Sequence, residues 1–244
     1  MYITESFMCA VAEGLDISID ELRFKNLYQQ GELTPFLQKI DQDWHVPLLI
    51  EQVRKEVNYD ERKAAIEKFN KEHKWRKRGM SMIPTKFGLS FATALHLNQA
   101  GASVKIYADG SVLLNHGGTE MGQGLYTKMC QVAAQELGVP IDTIFTQDTS
   151  TYQIANASPT AASSGSDLNG MAIKDACDQL NRRLEPYREN YGADAPMKVL
   201  AHAAYRDRVN LVASGFWKMP RIGYEWGNYD VETVKPMYYY FTQV

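Results

Sequence analysis

Residues 111–125 read Ser111-Val112-Leu113-Leu114-Asn115-His116-Gly117-Gly118-Thr119-Glu120-Met121-Gly122-Gln123-Gly124-Leu125. An alternating apolar run enters four glycines within eight residues. From Leu125 the apolar positions Met129, Val132, Ala133 and Leu137 recur at helical spacing, up to Gly138 with Pro140 beyond it. A strand, a bare backbone and a helix start in succession give an anion close access to unpaired amides and to the positive end of a helix dipole. The spacing matches neither the phosphate loop ending in Gly-Lys-Ser/Thr nor the Gly-x-Gly-x-x-Gly dinucleotide fingerprint. Two readings stay open on spacing alone: an anion cradle with phosphate as its natural guest, or a turn whose glycines only let strand and helix pack closely.

Working outward, Asp109-Gly110 joins the strand-like runs 103–107 and 111–114, a hairpin signal of the type I′ kind. Downstream, Ile144-Phe145-Thr146 reads as a short strand, and residues 156–167, Asn-Ala-Ser-Pro-Thr-Ala-Ala-Ser-Ser-Gly-Ser-Asp, are all small. Ser166 or Asp167 is placed to cap a helix running past Met171, Ile173, Cys177, Leu180 and Leu184 to near residue 187. This is a second loop-into-helix anion site, with a flexible Ser/Ala linker as its alternative. A helix over 197–207, a strand over 209–215, a loop over 219–224 and a β-rich aromatic run over 237–244 complete the chain.

Upstream, helices are expected over 2–13, from the capping box Ser18-x-x-Glu21 to about residue 28, over 43–57 and over 60–74. Residues 79–102 are low in charge, and 89–95 reads as a buried strand or a lining segment. The expectation is an α+β chain with a helical part, 1–78, and a mixed part, 79–244, carrying both loops.

An apolar share of 45% with 11% aromatics is that of a core-burying protein. Against 29 acidic residues stand 26 basic ones, a net charge of −3, so no global field recruits nucleic acid or an anionic membrane. The basic cluster at 71–78, with Trp75 inside it, reads as a solvated helix end. No apolar run approaches a membrane span. Cys9, Cys130 and Cys177 are odd in number and widely spaced, which indicates no disulfide framework and makes the cytosol the default compartment. Cys130 and Cys177 are expected as small buried hydrophobes, and both ends of the chain read as cut from a longer one.

No Cys-x-x-Cys, His-x-x-x-His or Gly-x-Ser-x-Gly pattern occurs, so no protein-ligated metal and no catalytic residue is nominated. His116 reads as a packed or hydrogen-bonded histidine, and Glu120 as a carboxylate capping the helix or the loop amides. Such a chain binds something anionic with its backbone and leaves the chemistry to a cofactor.

The words themselves carry a resemblance. Asp109-Gly110-Ser111-Val112 through Gly117-Gly118-Thr119-Glu120-Met121-Gly122-Gln123-Gly124-Leu125-Tyr126-Thr127-Lys128, with Ser158-Pro159-Thr160-Ala161-Ala162-Ser163 downstream and Pro84-Thr85-Lys86-Phe87-Gly88 upstream, closely resemble the molybdenum-binding region of the xanthine dehydrogenase family of molybdenum hydroxylases. Arg23-Phe24-Lys25-Asn26-Leu27-Tyr28 and Ala203-Ala204-Tyr205-Arg206-Asp207-Arg208 extend it over essentially the whole chain. The resemblance implies a molybdenum–molybdopterin cofactor that hydroxylates N-heterocycles such as hypoxanthine or xanthine. In the full-length enzyme, electrons would pass through 2Fe-2S clusters to FAD.

Carried across by motif, Met121, Gly122 and Gln123 would embrace the molybdenum end of the cofactor. Thr160, Ala161, Ala162, Ser163, Ser164 and Gly165 would contact the pterin. Phe91, with Ala92 and Thr93, would meet the substrate. The family reads Ser-Phe-Thr before its Leu-Asn-Gln, whereas this chain reads Ser90-Phe91-Ala92-Thr93 and is one residue longer up to Leu97-Asn98-Gln99. A displaced hydroxyl, worth on the order of 1 kcal/mol, keeps nicotinate hydroxylation open beside the purine reading, as it does an aldehyde oxidase paralogue. The family's catalytic glutamate, its Fe–S and flavin domains and its arginine-and-phenylalanine loop are absent from these residues, so the chain is expected to be an internal, inactive piece. The whole enzyme is expected to be a cytoplasmic homodimer, with the peroxisome as second compartment. A free-standing module for a phosphorylated ligand is the reading from another class.

Overall fold

The computed structural model describes residues 1–35, 37–40, 44–220, 227–230 and 238–243. The chain forms two compact units, residues 1–88 with 227–244 and residues 89–226. Elements α1 (Tyr2–Gly14), α2 (Ile19–Lys25), α3 (Val46–Glu56), α4 (Tyr59–Glu72) and strand β1 (Thr85–Leu89) come first. One half of the capping box is realised: the Ser18 hydroxyl accepts the Glu21 amide at 3.1 Å, while the Glu21 carboxylate pairs with Lys25 at 2.7 Å. Helix α2 stops at Lys25, short of the expected residue 28, where the Asn26 side chain donates to the Leu22 carbonyl at 2.8 Å and the chain turns away. Asp20, almost fully buried, receives bonds from Arg23 (3.2 Å), Tyr59 (3.1 Å) and Lys63 (2.6 Å), and Arg23 also reaches Glu5 at 2.6 Å. That network joins α1, α2 and α4 beside a small core of Val46, Ile50, Tyr59 and Met82. Helix α3 starts at Val46 with Pro47 in its first turn, and the expected start at Asp43 lies outside the described residues. The basic stretch after α4 is solvated, with Trp75 86% exposed.

The second unit contains β2 (Gln99–Ile106), β3 (Val112–His116), α5 (Leu125–Leu137), β4 (Ile144–Thr146), α6 (Gly165–Tyr191), α7 (Met197–Arg206) and β5 (Val212–Lys218). Strand β6 (Tyr238–Gln243) pairs with β1 in the first unit, and Met237, Val244 and the loop expected beyond Pro220 lie outside the described residues. The four-stranded sheet has the order β4-β3-β2-β5, with β2 antiparallel to both neighbours and β3 parallel to β4. Alternation along β2 buries Ala100, Ala102, Val104 and Ile106 on one face. Helix α6 lies on β2 and β5, and the approach is close because Gly215 has no side chain: a Cβ there would overlap the Ala172 carbonyl and sit 2.7 Å from the Ala176 amide nitrogen. Ile173, Leu180 and Leu184, all fully buried along α6, contribute roughly 1.5–3 kcal/mol each. Cys177 lies among them as a small hydrophobe, its thiol pushed up to about 12 by burial, and Cys130 is half-buried.

Three expectations need correction. The hairpin turn is not type I′: only Gly110 takes a positive φ (91°), because the Asp109 carboxylate is held by the amide (3.0 Å) and hydroxyl (2.7 Å) of Ser111. Strand β5 begins at Val212, not 209, because the preceding residues still close α7. Arg208 is left-handed (φ 61°), and the Val209 amide donates back to Ala204 at 2.9 Å. Helix α6 begins at Gly165 with Ser164 in the cap position, ahead of Ser166 and Asp167, and runs through Pro186 to Tyr191 rather than ending near 187. The Ser164 hydroxyl donates to Ala161 (3.3 Å) instead of accepting from the helix.

Candidate functional site

The glycine loop, residues 117–124, leaves β3 and enters α5 with its glycines in two roles. Gly117 and Gly118 are packing glycines: a Cβ at 117 would lie 2.6 Å from the Ala157 Cβ, and one at 118 would lie 2.5 Å from Leu125 Cδ2 and 3.0 Å from Asn169 Nδ2. Gly122 and Gly124 are conformational, with φ of 97° and 79° and nothing within 4 Å of a hypothetical Cβ. Close packing and backbone freedom thus both operate, on different residues.

The amides at the start of α5 are met by the chain itself. Glu120 accepts from Gly122 (2.8 Å), Gly124 (3.0 Å) and Tyr126 (3.0 Å), and its carboxyl is held below the ordinary glutamate range, chiefly by the Tyr126 amide. An acid in the first turn also suits the dipole. The anion expected at this helix start is therefore a side chain of the loop, and external ligands meet the loop's outer face. On that face Met121, Gly122 and Gln123 are exposed. Gln123 braces its own turn, accepting the Met121 amide (2.6 Å) and donating to the Thr119 carbonyl (2.9 Å). Each end of that amide retains capacity for one more hydrogen bond.

Beneath the loop sits His116, 4% exposed, whose Nδ1 accepts the Gly118 amide at 3.1 Å, so the neutral ring carries its proton on Nε2. Burial pushes its pKa down to about 4, with Glu120 working the other way. The Tyr126 ring meets His116 edge-on at 5.1 Å. Thr149 donates its hydroxyl to the Gly118 carbonyl (2.6 Å) while engaging the Tyr126 hydroxyl (3.0 Å), which braces the loop from below.

The small-residue loop reaches the glycine loop directly. Thr160 Oγ1 accepts the Thr119 amide at 2.8 Å across 41 residues of sequence. Ala162 and Ser163 are left-handed (φ 54° and 52°), which folds the loop tightly before Ser164 and Gly165 start α6. The Ala162 carbonyl accepts the Ser90 amide at 3.0 Å, and Ser90 has a φ of 92° that ends β1. Residues 90–94 are consequently not a strand. Phe91 and Ala92 are half-buried and Thr93 is exposed. All three nominated segments, 91–93, 121–123 and 160–165, thus belong to one unit, linked through the Ser90–Ala162 and Thr119–Thr160 bonds.

The donor and acceptor set fits a heteroatom-rich ring system such as a pterin. Ser90 Oγ, Ser158 Oγ and Asn169 Oδ1 are buried with no hydrogen-bond partner in the protein, so a polar ligand or a water finds capacity to bond there. The cleft between the loops, lined by Gly117, Ser158, Thr160, Gly165 and Asn169, holds only about 10 Å³. That volume suits roughly one water, so a ring would lie over the loops, not between them. A cavity of about 820 Å³ lies at the other end of β3, around Gly110, Gly138 and Pro196. It contains none of the nominated residues and none of the three unpartnered atoms, so size alone misleads here. No three His, Cys, Asp or Glu side chains converge on a metal position among the described residues.

Sequence reasoning passed over Thr149 and Tyr126, which carry no local signal. It also passed over Asn98 as a contact residue, although a polar side chain in the buried phase of β2, in step with Ala100 and Ala102, was a visible anomaly.

Comparison with known proteins follows this geometry. Residues 52–244 match the family model of the molybdopterin cofactor-binding domain. The chain is 73% identical over 243 residues to a nicotinate hydroxylase of Emericella nidulans and 55% identical over 243 residues to a xanthine dehydrogenase of the same organism. It is covered completely in both cases but spans only 18% and 17% of the two relatives. Among solved structures, quinoline 2-oxidoreductase from Pseudomonas putida aligns over 89% of this chain and 32% of its own, with a TM-score of 0.72 at 19% identity. An aldehyde oxidoreductase from Desulfovibrio desulfuricans aligns over 98% of this chain and 25% of its own, with a TM-score of 0.69 at 20% identity. These two similarities concern the fold.

Proposed function

The chain belongs to the molybdopterin cofactor-binding domain family, and from that premise we propose that it is the cofactor-holding part of a molybdenum hydroxylase acting on N-heterocycles. When bound, the molybdenum–molybdopterin group supplies the redox chemistry, and this chain supplies grip and orientation. In this proposal Met121, Gly122 and Gln123 hold the metal end, Thr160, Ala161, Ala162, Ser163, Ser164 and Gly165 hold the pterin, and Phe91, Ala92 and Thr93 face the substrate. Residues 1–78 and 79–244 would be the end of one molybdopterin subdomain and the start of the next.

The observation that carries the reading is the meeting of two loops at the Thr119–Thr160 bond, beside the unpartnered Ser158 and Asn169 atoms. The exposed Gln123 amide group keeps hydrogen-bonding capacity, and the small residues of the second loop let a polar ring system come close. The remaining domains of a longer polypeptide, with Fe–S clusters and FAD, would carry electrons away, in a cytoplasmic dimer. Among the described residues no helix is long and apolar enough to cross a membrane.

Nicotinate is a specific second substrate reading, favoured by 73% identity to the nicotinate hydroxylase against 55% to the xanthine dehydrogenase, and by the Ala92-Thr93 departure. The test is metal analysis and turnover of the full-length protein purified with molybdate supplied. Molybdenum bound in proportion to protein, with hydroxylation of nicotinate or hypoxanthine, is expected. Protein free of molybdenum that still binds phosphorylated ligands would instead indicate a binding module.

A further inference from the structure

We propose that Asn98 is a positioning residue that fixes Phe91 for substrate and leaves residues 92–97 free to vary as the specificity segment. The inference rests on the reading that Phe91, Ala92 and Thr93 face the substrate. Asn98 is 2% exposed, and its side-chain amide closes a reciprocal pair with one backbone unit: Oδ1 accepts the Phe91 amide at 2.9 Å and Nδ2 donates to the Phe91 carbonyl at 2.8 Å. Nδ2 also lies 3.4 Å from the Leu95 carbonyl. The backbone of Asn98 is tied down in turn, its amide to Leu95 (3.1 Å) and its carbonyl to the Met219 amide (3.0 Å) just beyond β5.

On the other side of Phe91, Ser90 is tied to Ala162 in the small-residue loop. Phe91 is thus held between the sheet and that loop by bonds to its own backbone and to that of Ser90, and within residues 92–97 only the Leu95 carbonyl is drawn into seating Asn98. Between the two anchor points, the segment closes on itself only through the Ala94–Leu97 turn (2.9 Å). With Phe91 and Asn98 fixed at its two ends, the loop between them is the place where a difference in length is taken up. The extra residue relative to the family pattern is therefore absorbed beyond Phe91, where Ala92 and Thr93 stand, and the ring's backbone stays in place. The clamp separates a constant aromatic contact from a tunable polar one.

The experiment uses the full-length enzyme and steady-state kinetics on nicotinate and hypoxanthine, with molybdenum content measured for every variant. Asn98→Asp keeps the acceptor but loses the donor and sets a carboxylate oxygen against the Phe91 carbonyl. We expect kcat/KM to fall roughly tenfold or more for both substrates, mainly through KM, with molybdenum content unchanged. In a Phe91→Ala background the same substitution is expected to add almost nothing, because Asn98 acts through Phe91. Losses that multiply in the double variant, or molybdenum lost in step with activity, overturn the proposal.

A second variant does not depend on Asn98 tolerating change. Replacing Ala92-Thr93 by a single threonine is expected to shift the ratio of kcat/KM for the two substrates by roughly tenfold, with molybdenum retained. An unchanged ratio overturns the specificity role of 92–97. If Phe91→Ala alone leaves kcat/KM unaltered on every heterocycle, the underlying reading of the substrate face fails, and the proposal with it.

Discussion

The division of labour among the loop glycines makes a sharp prediction, because alanine and asparagine should rank in opposite order at two positions six residues apart. At Gly118 a Cβ would stand 2.5 Å from Leu125 Cδ2, well inside the ~3.5–4.0 Å at which carbon atoms attract. Neither obstacle has room to retreat, since Leu125 is 1% and Asn169 6% exposed. Gly118→Ala is therefore an overpacking change of roughly 1–3 kcal/mol, and Gly118→Asn, which is larger, should be worse. At Gly124 nothing lies within 4 Å and the backbone is left-handed, φ 79° and ψ 23°. Alanine there meets a conformational penalty of about 1–2 kcal/mol, partly offset by about 0.4–1 kcal/mol from a less flexible unfolded chain. Asparagine visits that region more readily and should be milder than alanine.

Thermal unfolding of the full-length protein reads the effect as a lowered midpoint of the transition in which this part of the chain unfolds. On the proposed reading, molybdenum content should fall with the 118 variants, which push the glycine loop outward, and hold in Gly124→Asn. If asparagine is tolerated better than alanine at both positions, or alanine better at both, the assignment of steric and conformational roles is wrong.

Other consequences follow from buried polar groups and close packing. His116 has a folded pKa of about 4 against an ordinary value of 6.5. The unfolded chain therefore takes up the proton first, and stability present above pH 6.5 is lost as pH falls toward 4, by on the order of 2–4 kcal/mol from this group. Urea midpoints should fall less steeply between pH 7 and 5 in His116→Gln than in the parent, and equal slopes would count against a buried neutral imidazole. At Asp20, burial alone would raise the pKa, but Lys63, Tyr59 and Arg23 outweigh it and the carboxyl titrates below its ordinary value. Its contribution is therefore present above the unfolded pKa and lost as pH drops through the lower folded one. Asp20→Ala removes the acceptor shared by Arg23, Tyr59 and Lys63 and leaves Arg23 with Glu5, which should cost roughly 1–3 kcal/mol, measurable as a lower denaturant midpoint with Asp20→Asn in between. Gly215→Ala sets a methyl against the α6 backbone and should cost at least about 3 kcal/mol or prevent folding. A soluble variant with unchanged melting temperature would mean that α6 does not lie so close to the sheet.

Much of the local structure was legible because it is written in consecutive residues. Helix α5 occupies the predicted span 125–137 with Gly138 left-handed at its end (φ 68°), since apolar period, glycine stop and following proline all act within a few residues. Ser18 caps α2 for the same reason. Where expectation and structure part, the cause is in one case a distant partner and in another a local bond that prolongs the preceding turn. Ser90 leaves β1 because its amide bonds Ala162, and β5 starts late because Val209 is still engaged by α7.

The family was decided by the sequence alone, because the motifs that mark it are runs of consecutive residues. Which amides of those loops remain available was decided only by the tertiary structure. The Glu120 cap was legible in the sequence and is found, whereas the closing of Thr160 on Thr119 and of Ala162 on Ser90 was not legible there. The reason is that every polar group inside a fold must find its partner somewhere. The partner's identity depends on which elements are brought together, something no window of neighbouring residues contains.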